Sequence, residues 1–265
     1  MILEEIAAKT KERIAAEKEM LPLKELKAAA ADTKRPEGFP FEEALKRPGM
    51  SFICEVKKAS PSKGVIAGDF PYEEIAREYE RAGAAAISVL TEPYYFQGKD
   101  SYLREIRQRV SIPLLRKDFT VDEYMIYQAR EMGADAVLLI CAILSPMQLQ
   151  EYLGLAGELG LSALTEAHDE REVEMALLAG SPIVGVNNRN LKDFSVDICN
   201  SIRLRKLVPK QVLFVSESGM KTREDIERLE KNGTDAVLIG ETLMRSPEKG
   251  ALLRELSGAS GGLGL

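Results

Sequence analysis

A repeated unit limits the fold more than any other feature of the chain. A charged, amphipathic stretch is followed by a glycine and then by a short apolar run. The unit is clearest in Ala82-Gly83-Ala-Ala-Ala-Ile-Ser-Val-Leu90, Met132-Gly133-Ala-Asp-Ala-Val-Leu-Leu-Ile140 and Asn232-Gly233-Thr-Asp-Ala-Val-Leu-Ile-Gly240. Weaker copies begin at Leu159-Gly160 and Ala179-Gly180. Glycine ends a helix cheaply because it enters the left-handed region without a Cβ clash. A short run that is apolar on both faces fits a strand buried in a parallel sheet.

Such runs occur near 51–57, 86–91, 113–117, 136–141, 162–166, 183–187, 212–216 and 237–240, with helix-period stretches between them. Eight strand–helix units in 265 residues predict a closed (β/α)8 barrel, the TIM-barrel architecture, within one domain of about 250 residues. An open dinucleotide-binding sheet is disfavoured, because no GxGxxG follows the first strand. The barrel is expected over 50–256. A helical extension is expected over 1–49, with helices at 2–20 and around Phe41–Lys46. The Gly-rich end, 257–265, reads as a flexible tail.

Composition removes several functional classes. The net charge of −6 without a long basic run argues against a nucleic-acid partner. No apolar stretch is long enough for a membrane span, and the charged N-terminus does not resemble a secretory leader. The expected setting is reduced and cytoplasmic. Cys54, Cys141 and Cys199 are widely spaced and form no CxxC pair, so neither a disulfide framework nor a metal site is expected. His168 is the only histidine, and any serine triad would rest on it alone.

A barrel builds its active site at the C-terminal ends of its strands. Glu55, Lys57, Lys117, Glu166, Asn187 and Glu217 all fall at or near such ends. Glu55 and Lys57 are two residues apart and share a strand face, with Cys54 and Val56 on the other. A rim ion pair is the alternative reading of that couple, but six polar residues at one end, two of them lysines and three of them glutamates, exceed what loop anchoring requires. Pairing offsets the cost of burial and shifts pKa values, as acid–base chemistry needs. Gly219 follows the seventh strand and Gly240 opens a short helix after the eighth. Their N–H groups suit the phosphate cradle common to such barrels.

Glu55-Val-Lys-Lys-Ala-Ser-Pro-Ser-Lys-Gly64 closely resembles the first-strand signature of the indole-3-glycerol-phosphate synthase family. Phe41–Gly49, Leu90–Gly98, Arg116–Phe119, Gly185–Leu191, Ser216–Gly219 and Leu238–Met244 match that family in order, so the resemblance covers residues 1–256. It implies a decarboxylating lyase of tryptophan biosynthesis that needs no cofactor or metal. The substrate would be the sugar phosphate 1-(2-carboxyphenylamino)-1-deoxyribulose 5-phosphate. By the same resemblance Lys117 protonates the ketone as the ring closes. Glu166 and Lys57 serve the later dehydration, with the choice of lysine left open. Glu55 and Asn187 orient these groups, Glu217 helps hold them, and Ser218 lines the site. Ser60, Gly219, Gly240 and the Glu241 N–H would take the phosphate, with Arg189 also in the binding set. Phe96, Phe119, Leu138 and Leu164 would wall the aromatic ring, plain barrel core being the alternative for the two leucines. The N-terminal extension, with Phe41, would cap the open mouth. The chain is expected to be a monomer or a weak homodimer.

Three rivals remain at this level. A sister barrel, phosphoribosylanthranilate isomerase, uses a strand-one cysteine, but the parity of Cys54 points it away from Glu55. A Schiff-base aldolase would need Lys57 or Lys117 as nucleophile. A non-catalytic barrel acting as an assembly partner would not need the intact lysine–glutamate set.

Overall fold

A computed structural model describes residues 2–34, 37–190 and 193–259. Eight parallel strands close a barrel in chain order: β1 (Ser51–Val56), β2 (Ala86–Leu90), β3 (Leu114–Lys117), β4 (Ala136–Ile140), β5 (Ser162–Ala167), β6 (Ile183–Asn187), β7 (Leu213–Glu217) and β8 (Ala236–Ile239). β8 pairs with β1, with Phe52 beside Val237, so no edge is left open. All eight expected runs are strands, with ends displaced by at most one residue. Among the described residues no helix is long and apolar enough to cross a membrane.

Helices cross over between the strands: α4 (Tyr72–Arg81), α5 (Asp100–Arg107), α6 (Glu123–Glu131), α7 (Pro146–Glu158), α8 (Glu170–Leu178), α9 (Cys199–Leu204), α10 (Arg223–Lys231), and, after β8, α11 (Glu241–Arg245) and α12 (Lys249–Ser257). Their starts follow local chemistry. Ser145 and Thr222 close capping boxes on α7 and α10, and the Asp122 and Asp169 carboxylates accept N–H groups of α6 and α8. Their ends follow the repeated glycine, since Gly83, Gly133, Gly160, Gly180 and Gly233 all have φ between 70° and 96°. α12 extends through Ser257, which was expected in the tail, and ends at left-handed Gly258. Ser260–Leu265 lie outside the described residues.

Strand parity divides the apolar residues into two layers. Cys54, Val56, Val89, Leu139, Val186 and Phe214 face outward and pack with Tyr79, Leu103 and Ile126 of the helices. Ile53, Leu115, Leu138, Leu164, Val215 and Leu238 face inward and fill the barrel.

The N-terminal segment reaches both ends of this barrel. α1 (Ile2–Met20) lies across the mouth, where Ile2, Leu3 and Ile6 meet the cavity and Arg13 grips Asp118 beyond β3. α2 (Leu23–Asp32), which hydrophobic patterning left unassigned, packs along α6 and carries the chain downward. α3 (Pro40–Leu45) then closes the base, where its Ala44 carbonyl accepts the Ser51 hydroxyl at the start of β1. Phe41 therefore plugs the bottom of the barrel, not the mouth. It is fully buried among Leu45, Ile53 and the inward-facing residues. An aromatic helix in the extension suited either end, and only the β1 connection fixes which.

Phe41→Ala is expected to lower stability by about 3–5 kcal/mol, as for other fully buried phenylalanines. Chemical denaturation measures this, and a loss below about 1 kcal/mol would show that the base tolerates a void.

Candidate active site

Period-two geometry sends alternate residues of each strand inward. At the top of the barrel that rule brings Glu55, Lys117, Glu166 and Glu217 together around a cavity of about 910 Å³. Lys57, Ser60, Asn187, Arg189, Ser218, Gly219, Gly240 and Glu241 line the same space. Phe96, Phe119 and Leu138 form an apolar side, with the two rings 6.1 Å apart. Leu164 is the exception in the expected set. It is fully buried in the barrel interior and is not on the cavity surface.

Lys117 is the hub. Its Nζ lies 3.3 Å from Glu166 Oε2 and 3.5 Å from Glu217 Oε2. Beside it Lys57 Nζ pairs with Glu55 Oε1 at 2.5 Å. Burial opposes the charge on Lys117, but the charges of Glu166, Glu217 and Glu55 outweigh it and hold the ammonium protonated well beyond the usual range. The two carboxylates on that lysine differ. Burial raises both, but Glu166 also meets Lys117, His168 and an Asn187 hydrogen bond, and its pKa is lowered. At Glu217 burial prevails, helped by repulsion from Glu166 and Glu55, and the pKa rises to about 8 despite Lys117.

Two glycines make room for these carboxylates. An added Cβ at Gly185 would overlap Glu217 Oε1, and one at Gly240 would overlap Glu55 Oε1. Gly240 was read from sequence only as a phosphate-cradle residue, and Gly185 was missed. Packing between strands distant in sequence decides both, and no local pattern reports it.

Other supports lie outside the reach of strand-end reasoning. Glu92, fully buried, accepts the N–H groups of Tyr94, Tyr95 and Phe96 and so shapes the loop that presents Phe96. Asn188 donates to Ser216 Oγ and to the Ser218 carbonyl and accepts from Ser201. It thereby holds Ser218 at φ 67°, a left-handed conformation unusual for a residue with a side chain. Asp118 takes Arg13 at 2.9 and 3.1 Å and Thr91 at 2.8 Å. The Glu241 carboxylate is turned to Arg189 at 3.5 Å and Arg245 at 3.1 Å, so guanidinium groups neutralise it near the expected phosphate cradle. Leu191, the last residue of one matched segment, lies outside the described residues.

Cys54 is fully buried in the outer layer, and burial pushes its thiol far up, as the strand parity implied. A strand-one thiol base is thus absent from the cavity.

The closed eight-stranded sheet defines a (β/α)8 barrel, with lysines and carboxylates converging in a cavity at its mouth. The solved structures with this fold include 3-hexulose-6-phosphate synthase from Salmonella typhimurium, at TM-score 0.66 and 14% identity over 79% of this chain and 97% of that one. Thiamine phosphate pyrophosphorylase from Pyrococcus furiosus superposes at TM-score 0.58 and 15% identity over 81% of this chain and 95% of that one. A family model described as indole-3-glycerol phosphate synthase matches residues 3–256. Two curated relatives bearing that name come from Ruminiclostridium cellulolyticum, 57% identical over 98% of this chain and all of that one, and Endomicrobium trichonymphae, 56% identical over 97% and 99%. The chain belongs to the indole-3-glycerol phosphate synthase family.

The Glu217 shift carries a stability consequence. Between 4.5 and about 8 the folded protein holds a proton that the unfolded chain has released. Stability therefore falls as pH rises through that window. Glu217→Gln should flatten this part of the stability–pH curve. Thermal melts across the window test it, and an unchanged slope would show that Glu217 is ionised throughout.

Proposed function

We propose that this mouth converts 1-(2-carboxyphenylamino)-1-deoxyribulose 5-phosphate to indole-3-glycerol phosphate, CO₂ and water, the reaction of its family, as a decarboxylating lyase of tryptophan biosynthesis. The observation that carries the residue roles is the largely buried Lys117 ammonium between Glu166 and Glu217, in a cavity lined by Phe96, Phe119 and Leu138 and also by Ser60, Gly219 and Gly240.

The substrate's aromatic ring lies against Phe96, Phe119 and Leu138. Its phosphate lies toward Ser60, Gly219, Gly240 and the Glu241 N–H, with Arg189 at the margin. This orientation brings the ketone oxygen to Lys117. The ring carbon bearing the carboxylate attacks the ketone carbon, and Lys117 gives its proton to the oxygen. Carbon dioxide leaves, and the electrons of the broken bond restore the aromatic ring. The new hydroxyl then departs as water with a proton from Lys57, which Glu55 orients. Glu166 takes the proton from the carbon beside the nitrogen, and the double bond so formed makes the five-membered ring aromatic. Two protons are given and one is taken, so one proton enters from solvent per turnover. Asn187 keeps Glu166 aimed, and Ser218 borders the reacting centre.

The charge on Lys117 disfavours the aldolase reading. A Schiff-base nucleophile must be a neutral amine, and the neighbouring carboxylates, Glu166 foremost, hold this one protonated. Borohydride with a keto-phosphate should accordingly leave no adduct.

Adding the substrate should produce indole fluorescence and CO₂ together, against a low background because the chain has no Trp. Lys117→Ala should fold and lose turnover by at least about a hundredfold, the lower range for a proton-transfer group. Near-parental turnover in that variant removes Lys117 from the mechanism.

A further inference from the structure

Glu166 and Glu217 present the same problem to Lys117. Both are buried carboxylates, at 3.3 and 3.5 Å from its Nζ. What differs is what stands behind each of them. The second oxygen of Glu217, Oε1, is buried and has no hydrogen-bond partner among the described residues. The second oxygen of Glu166, also Oε1, faces His168 Nε2 at 3.4 Å. That nitrogen is itself buried and has no hydrogen-bond partner among the described residues, so Glu166 is the group it addresses.

His168 follows β5 and precedes α8, and neither it nor Glu172 lines the cavity. Its ring is fixed from outside. Nδ1 meets Glu172 Oε2 at 2.9 Å, and the same oxygen accepts the His168 backbone N–H at 2.8 Å. Asn200 of α9 donates to the His168 carbonyl at 3.1 Å. With Nδ1 hydrogen-bonded to Glu172 and Nε2 facing the Glu166 carboxylate, the imidazolium is the form whose charge both carboxylates favour. We propose that the Glu172–His168 pair, behind the barrel wall, makes Glu166 rather than Glu217 the ionised carboxylate on Lys117 and thereby selects the base of the reaction. His168 touches no substrate in this arrangement and is a positioning residue that acts through Glu166. The inference rests on the reading of Glu166 as that base.

The surrounding charges agree with the selection. From β3 comes Lys117, from β7 Glu217, from β1 Glu55 with Lys57, and from β6 the neutral Asn187. From the 3-10 turn after β4 comes Cys141, a thiol that burial raises to about 12 and so keeps neutral. Asp169 is occupied in capping α8. Burial opposes a charged His168, but Glu172, Glu166 and Glu217 outweigh it and raise its pKa above the ordinary histidine value.

The test is the pH profile of kcat/KM for the intact chain and three variants. Glu166→Gln should abolish turnover. His168→Gln should leave KM near the parental value and move the acidic limb to higher pH by about one unit, a tenfold loss on that limb. Activity should recover on the alkaline side, which a merely structural defect would not restore. Glu172→Gln, whose side chain lies at the outer flank, should move the limb the same way by less, and it carries the test alone if His168→Gln does not melt cooperatively. If Glu166→Gln is inactive while the limb stays in place, or moves down, in the histidine and Glu172 variants, the selection is overturned and the base assignment survives. If Glu166→Gln retains parental turnover, the base assignment fails and the selection fails with it.

Discussion

A lysine withdrawn from water governs the upper half of this barrel. Removing an ammonium from solvent costs several kcal/mol even after relaxation. Lys117 remains charged only because Glu166, Glu217 and Glu55 surround it. The same compensation keeps Glu166 ionised in spite of its burial, whereas Glu217 on the same lysine holds its proton up to about 8. Lys117 and Glu166 are each tolerable as ions only in the presence of the other, so the site exists as a set. Dipoles and charges fixed in this way need no rearrangement when the reaction develops new charge. Gly185 and Gly240 belong to this set although they carry no chemistry, because a methyl group at either would displace a carboxylate.

Around the set stands a second group of polar residues whose work is mechanical. Glu92 organises a loop by accepting three successive N–H groups, and Asn188 ties the end of β6 to the end of β7 and to α9. Asp118 draws α1 onto the mouth through Arg13. These residues are buried and hydrogen-bonded, and a polar side chain is accepted inside a protein on those terms. Glu92 fixes its own loop, while the partners of Asn188 and Asp118 lie on other elements and tie the walls of the cavity together.

The repeat and its glycines made the barrel legible before any coordinates, because strand–helix alternation and helix termination are local properties. Strand parity also separated Cys54 from Glu55 correctly. The gathering of Lys57, Lys117, Glu166 and Glu217 was legible because each stands at a strand end that the fold turns to one side. Matters set by long-range packing were not legible. Phe41 went to the base through the path of α2 and α3, Leu164 fell below the cavity floor, and His168 acquired its neighbours only through the turn into α8. Leu138 and Leu164 look alike in sequence, yet one borders the cavity and the other does not, since depth along a strand depends on barrel stagger.

The route of the first fifty residues bears on how the chain reaches this state. α1 emerges from synthesis before any of the barrel, yet its principal anchor, Asp118, lies 105 residues further along. Until β3 and its neighbours have assembled, Ile14 can meet only Leu26 of α2, and Ile6 lacks the barrel residues it packs against. The segment that leaves the ribosome first therefore cannot take its native place before β3 has followed it. Contacts so distant along the chain carry a large loop-closure entropy and slow the search for the native arrangement.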